Sequence, residues 1–104
     1  MSETIRAKLA LARWQGDRGT YHLVIFTGAE AEALETHAVI ERLEYGRARG
    51  FGSVKVTARI GSTQWRTSVF PQAKRSQWVL LVSKKVMRAE GLAQGDTVDV
   101  ELSV

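Results

Sequence analysis

From Val54 to Ile60 the chain alternates apolar and polar residues without a fault, and Gly61-Ser62 then separates this run from Thr63 to Phe70, rich in β-branched and aromatic residues. Period-two alternation sets Val54, Val56, Ala58 and Ile60 on one face of a strand and Lys55, Thr57 and Arg59 on the other. A two-residue loop with glycine first predicts a tight antiparallel hairpin. A lone hairpin is marginal in water, so this one must bury its apolar face against more sheet.

The rest of the chain supplies that sheet. Ile5, Ala7, Leu9 and Leu11 alternate with Arg6, Lys8 and Ala10 and read as a first strand. Gln15 to Gly19 is a turn, and Thr20 to Phe26 a second strand, with Tyr21, Leu23 and Ile25 expected inward and His22 outward. Thr27-Gly-Ala-Glu30 matches a capping box and predicts a helix start. The following apolar residues fall on two sides, Leu34 and Ala38 against Val39, Ile40 and Leu43, which predicts a break or bend near Thr36-His37. Gly46 to Gly52 is a glycine-rich loop. After the central hairpin, Pro71 is expected to end the fourth strand. Gln77 to Val82 is a near-continuous apolar run, expected to be covered on both faces. Ser83 is a good N-cap and Gly91 a good left-handed terminator for a short helix between them. Gly95-Asp96 turns the chain into a last alternating strand, Val98 to Val104.

The order strand, strand, helix, strand thus occurs twice. Thr27 and Ser83 lie 56 residues apart; at that offset Leu9 falls on Trp65, Trp14 on Phe70, and Thr20–Phe26 on Ser76–Val82. After the helices the offset drops to 44, aligning Val54–Ile60 with Val98–Val104. The expectation is one domain over residues 1–104, mainly β with short helices, made of two pseudo-twofold halves of about 5–60 and 61–104. Neither half buries its sheet face alone, and together they leave few free edges.

Composition narrows the function classes. An apolar share of 44% and a charged share of 25% are those of a globular domain rather than a disordered one. The absence of cysteine excludes disulfides, thiolate metal sites and a cysteine nucleophile, and fits a reducing compartment. No signal peptide or apolar span is visible, so a soluble, cytoplasmic protein is expected.

The segment from Trp78 through Ser83, Gly91 and Gly95-Asp96 to Val100 resembles the repeating unit of AbrB-type swapped-hairpin barrels. Gly50-Phe-Gly-Ser-Val-Lys-Val-Thr-Ala-Arg-Ile-Gly61, with Thr63 to Phe70-Pro71, resembles an uncharacterised bacterial family catalogued as domain of unknown function 1905. The resemblance covers essentially the whole chain. It implies a single-chain double-split β-barrel and carries no agreed activity.

Candidate chemistry is sparse. His22 and His37 lack any metal-ligand spacing, and the serines lack a nucleophile-elbow context. The glycine-rich loop lies between helix and strand, the wrong order for a phosphate loop. No catalytic residue, metal or cofactor is therefore expected, and the chain reads as a binding or interaction module. Its net charge of +4 permits a polyanionic partner. Lys55 and Arg59 share the outer phase of one strand and Arg66 that of its partner; with Arg47 and Arg49 of the loop they form the candidate nucleic-acid or polyanion site. The competing reading is a solvated surface that deters sheet-edge aggregation. The alternative site is a small-molecule pocket between the halves, lined by Tyr21, Trp65 and Trp78. A monomer is favoured over a homodimer, because the second half takes a partner chain's place.

Overall fold

The computed structural model of the protein describes residues 3–45, 52–72 and 76–104. Among these are seven strands and two helices: β1 (Thr4–Ala10), β2 (Ala12–Gly16), β3 (Gly19–Phe26), α1 (Gly28–Tyr45), β4 (Val54–Ile60), β5 (Thr63–Gln72), β6 (Gln77–Val82), α2 (Lys84–Glu90) and β7 (Thr97–Ser103). All pairings are antiparallel, in one curled, half-barrel sheet of order β1-β7-β4-β5-β6-β3-β2. The glycine-rich loop through Phe51, including Arg47 and Arg49, lies outside the described residues. No helix among the described residues is long and apolar enough to cross a membrane.

The β4–β5 hairpin forms as its alternation predicts. Partners run from Val54 opposite Val69 to Ile60 opposite Thr63. Gly61 has φ 60° while Ser62 stays outside the left-handed region, as a turn with glycine first requires. Glu90, the last residue of α2, clamps the turn. Its carboxylate accepts from the Thr63 hydroxyl at 2.6 Å and the Ser62 hydroxyl at 3.3 Å. It also fills the space a side chain on residue 61 would need. The cap residues of α2 act as expected: the Ser83 hydroxyl accepts from the Val86 amide at 3.3 Å, and Gly91 is left-handed.

Two long strands carry the fold. β5 pairs with β4 through residue 69 and with β6 from residue 69 on, so buried Val69 faces Val54 on one side and Leu80 on the other. On the far side, β1 pairs with β7 and β2 with β3, joined by the single buried residue Leu11. The Leu11 amide donates to the Asp96 carbonyl, and the Gly95 amide donates to the Leu11 carbonyl, both at 2.8 Å. The two ends of the sheet order are therefore one continuous stretch of chain, and the sheet must curl to accommodate it. Its concave face is apolar, with no buried polar side chain among the described residues.

The registers test the offsets read from sequence. In β3–β6, Val24 faces Leu80, and the pairs His22–Val82 and Phe26–Trp78 exchange under an offset of 56. In β4–β7, Ala58 faces Leu102, and Thr57–Ser103 and Arg59–Glu101 exchange under an offset of 44. The first strand departs from the expectation. Trp65 faces Ala58, and the residue facing Leu102 in the same way is Ile5, not Leu9. Likewise the counterpart of Phe70, which faces Val79, is Ala12, which faces Leu23, and not Trp14. The cause is the junction: one step separates Val69 from Phe70, whereas Leu9 and Ala12, in the matching places, enclose Ala10 and Leu11.

Three local expectations are corrected. The chain does not break at Thr36-His37, and α1 runs as one helix of 18 residues against 7 in α2. Kinks need a cause such as proline, glycine pairs or an inserted side chain. Past Gly28 the helix has none, and Thr36 returns its hydroxyl to the Glu32 carbonyl at 3.0 Å. Ala31, Leu34 and Ala38 pack into the core while Val39, Ile40 and Leu43 stay exposed. Second, β3 has the opposite phase: Val24 and Phe26 are buried, whereas Tyr21 is exposed and Leu23 and Ile25 are half-buried. Its apolar residues occupy both faces, so alternation does not fix its phase; pairing of Val24 and Phe26 with buried Leu80 and Trp78 does. Third, β5 passes through Pro71, opposite Trp78, and ends at Gln72, because its pairing with β4 has already ended at Val69.

Two outcomes check this account in urea denaturation. Gly61→Ala is expected to cost about 1–3 kcal/mol, through the left-handed backbone and displacement of Glu90. Leu34→Ala is expected to cost about 2–5 kcal/mol, whereas Leu43→Ala on the exposed side of the same helix stays within about 0.5 kcal/mol.

Candidate functional site

The outer face of β4–β5 is set by the alternation that buries its inner face. Lys55 lies opposite Ser68, Thr57 opposite Arg66, and Arg59 opposite Gln64. β7 extends the rows, with Ser103 beside Thr57 and Glu101 beside Arg59. The cross-strand row Arg66–Thr57–Ser103 thus holds a cation and two hydroxyls, while the row Gln64–Arg59–Glu101 also carries an acid.

That difference divides the predicted cationic site. Lys55 and Arg66 line an open groove of about 770 Å³ with Thr57, Ser68, Phe70, Ser103 and Val104, and no Asp or Glu side chain lines it. Arg59 belongs to an adjoining groove of about 430 Å³, with Arg6, Lys8, Asp99 and Glu101. There the charges are paired: Arg6 Nε lies 3.3 Å from Glu101 Oε2 and Lys8 Nζ 4.0 Å from Asp99 Oδ1. These exposed pairs add little stability, on the order of 0–1 kcal/mol each. They do neutralise the local field. Lys55 and Arg66 are therefore brought together, and Arg59 is drawn into a mixed-charge ladder.

The alternative pocket is also divided. Tyr21 and Trp65 line a third groove, of about 390 Å³, which includes His22, Thr67, Leu81 and Lys84. Trp78 is not among them, because its indole is buried in the core beside α1, 2% exposed. His22 thus lies in a cleft, and no Asp or Glu side chain lines it. The cleft opens where β5 diverges from β6: the two pair only from Val69 and Leu80 onward, which leaves Trp65 and Thr67 facing Leu81 and Val82 across a gap. Among the described residues no three His, Cys, Asp or Glu side chains gather as metal ligands would.

The sequence reading passed over Thr57, Phe70 and Ser103 in the first groove. A signal for Ser103 existed, since strands related by the offset of 44 pair with each other and bring it beside Thr57. Trp14 was also passed over. It is 57% exposed and stacks on Tyr21 with ring centroids 5.6 Å apart and planes 29° from parallel. The two face each other across the β2–β3 hairpin.

Together these features define a small antiparallel-β module whose functional candidates are surface grooves rather than an enclosed cavity. The chain belongs to the family described as domain of unknown function (DUF1905), whose model matches residues 8–102. A search of the curated proteins finds no match.

The placement of the three tryptophans has a spectroscopic consequence. Trp14→Phe is expected to remove most of the iodide-quenchable tryptophan emission, because Trp78 is buried and Trp65 half-buried. Unchanged iodide quenching in that variant would contradict an exposed Trp14.

Proposed function

We propose that the chain is a binding module, not an enzyme, and that it holds nucleic acid through its phosphates on the outer face of β4–β5. The observation that carries this reading is the groove in which Lys55 and Arg66 stand with the hydroxyls of Thr57, Ser68 and Ser103 and no Asp or Glu side chain. Cations supply attraction to phosphate, and hydroxyls donate to its oxygens; such contacts position a ligand without reading sequence. The charge is also segregated along the chain. α1 carries five glutamates and one arginine, so the rest of the chain holds 14 Lys and Arg against 6 Asp and Glu.

The fold reading that goes with this is a single-chain double-split barrel of the AbrB-like, swapped-hairpin kind, derived from an internal duplication. Its support is the interleaving of the halves, since β7 lies between β1 and β4 and both self-complementary pairings join one half to the other. The extra residues at Leu11 are an insertion in one copy.

Binding to mixed-sequence DNA is expected to weaken steeply between about 50 and about 200 mM salt. Lys55→Ala and Arg66→Ala are each expected to lower the steepness of the log–log salt plot by about 0.7–0.9, and Arg59→Ala by less. Fluorescence anisotropy with a labelled oligonucleotide makes the measurement. Absent or salt-independent binding at micromolar protein would overturn the reading.

A further inference from the structure

The cleft between β5 and β6 adjoins the cationic groove. Thr67 lines both, with Arg66 and Ser68 on one side of the strand and Trp65 on the other. Beyond the cleft, Tyr21 is shared between its wall and the exposed stack with Trp14. A surface path therefore leads from Lys55 and Arg66, over the edge of β5, past Trp65 and Lys84, to an aromatic pair that projects from the β2–β3 hairpin. Trp14 is not in the core: it covers Gly16, whose hypothetical Cβ would meet the indole at 2.5 Å, and leaves more than half its surface to solvent. Phosphate-binding cations followed by accessible aromatic faces are what a single strand engages, since its bases are free to stack while its backbone runs along the positive groove. A duplex keeps its bases stacked internally and offers an aromatic platform nothing.

We infer that the ligand is single-stranded nucleic acid, with its phosphates on Lys55, Arg66 and Lys84 and unpaired bases stacked at Tyr21–Trp14 and against Trp65. This rests on the nucleic-acid reading above and adds the strandedness and the second half of the site. The cross-strand stack also stabilises its hairpin, so binding must be separated from folding. Trp14 and Tyr21 are exposed enough for Trp14→Ala and Tyr21→Ala to be tested as folded proteins, with circular dichroism and urea midpoints as controls. Trp65→Phe keeps the core volume closer to native.

The experiment compares three probes at equal low salt: an oligothymidine of about 20 nucleotides, a duplex of the same length, and inorganic polyphosphate. The expected result is that the single strand binds about tenfold or more tighter than either competitor. Trp14→Ala and Tyr21→Ala each weaken only the single strand, by about five- to tenfold, and quenching of tryptophan emission on binding falls in Trp14→Ala. Lys55→Ala weakens all three probes. If all three bind equally and the aromatic variants change nothing, the stacking site is wrong and the phosphate groove survives. If none of the three binds, both fall. If the aromatic variants fail to fold, the wild-type ranking of the three probes alone decides: a duplex or polyphosphate that binds as well as the single strand overturns the inference.

Discussion

The architecture depends on two buried junctions, Leu11 and Val69, at which one strand leaves its first neighbour and takes up another. Val69 hands β5 from β4 to β6, and Leu11 hands the first strand from β7 to β3. Each divides the sheet into two groups that share the strand running between them. Because the first strand closes the order at both ends, the apolar side chains of both groups face one interior. A polar residue at either junction would place a hydroxyl or amide among aliphatic neighbours with no partner, a cost on the order of 1–3 kcal/mol. It would also loosen the point where the sheet turns. Val24–Leu80 and Ala58–Leu102, the pairs at the centres of the two cross-half ladders, sit in the same interior at 0% exposure. Neither half could pair or bury these strands alone.

The same junctions place the functional surface. β5 diverges from β6 on one side of Val69, and the cleft with Trp65, Tyr21 and Lys84 opens there. Over those same residues the opposite edge of β5 stays paired with β4, and the cationic groove lies there. The acids outside α1 are largely committed. Glu90 holds the hairpin turn, Asp96 accepts from the Ala93 amide, Asp99 and Glu101 pair with Lys8 and Arg6, and Glu3 lies 2.6 Å from His37. Lys55 and Arg66 take no part in these pairs, and no Asp or Glu side chain lines their groove. The balance between the two grooves is set by cross-strand register alone: Ser103 beside Thr57 in one row, Glu101 beside Arg59 in the next.

Much of this was legible in the sequence where one signal had a single solution. Clean alternation fixed both faces of β4, β5 and β7, and hence the outward display of Lys55, Arg59 and Arg66. Gly61, Ser83 and Gly91 marked turn and caps because each conformation there demands such a residue. What stayed hidden needed tertiary information. The pairing of β4 with β7 separates Arg59 from Arg66, and nothing local to either residue reports it. The slip of the first strand at Leu11 is invisible to an alignment that finds apolar residues at every second position whichever offset is used. The start of α1 after Thr27 was legible, but its unbroken run to Tyr45 was not, because the apolar residues Val39, Ile40 and Leu43 were assumed to require burial.

That assumption is the common source of the errors, and it bears on function. The phase of β3 and the course of α1 were both misread by requiring large apolar side chains to be inside; the structure leaves Tyr21, Val39, Ile40 and Leu43 exposed and Leu23 and Ile25 half-buried. An exposed apolar residue by itself means little, since much of any protein surface is apolar. Trp14 and Tyr21 are a different matter. They form an ordered stack at the mouth of a cleft that also holds a lysine, on a hairpin whose folding requires only modest cross-strand contacts. Where local pattern and burial disagree in an otherwise self-consistent sequence, the disagreement tends to mark a place kept for something other than stability. In this chain it falls on the same side of the sheet junction as the cationic groove, and the two together outline a continuous surface rather than a scatter of misfits.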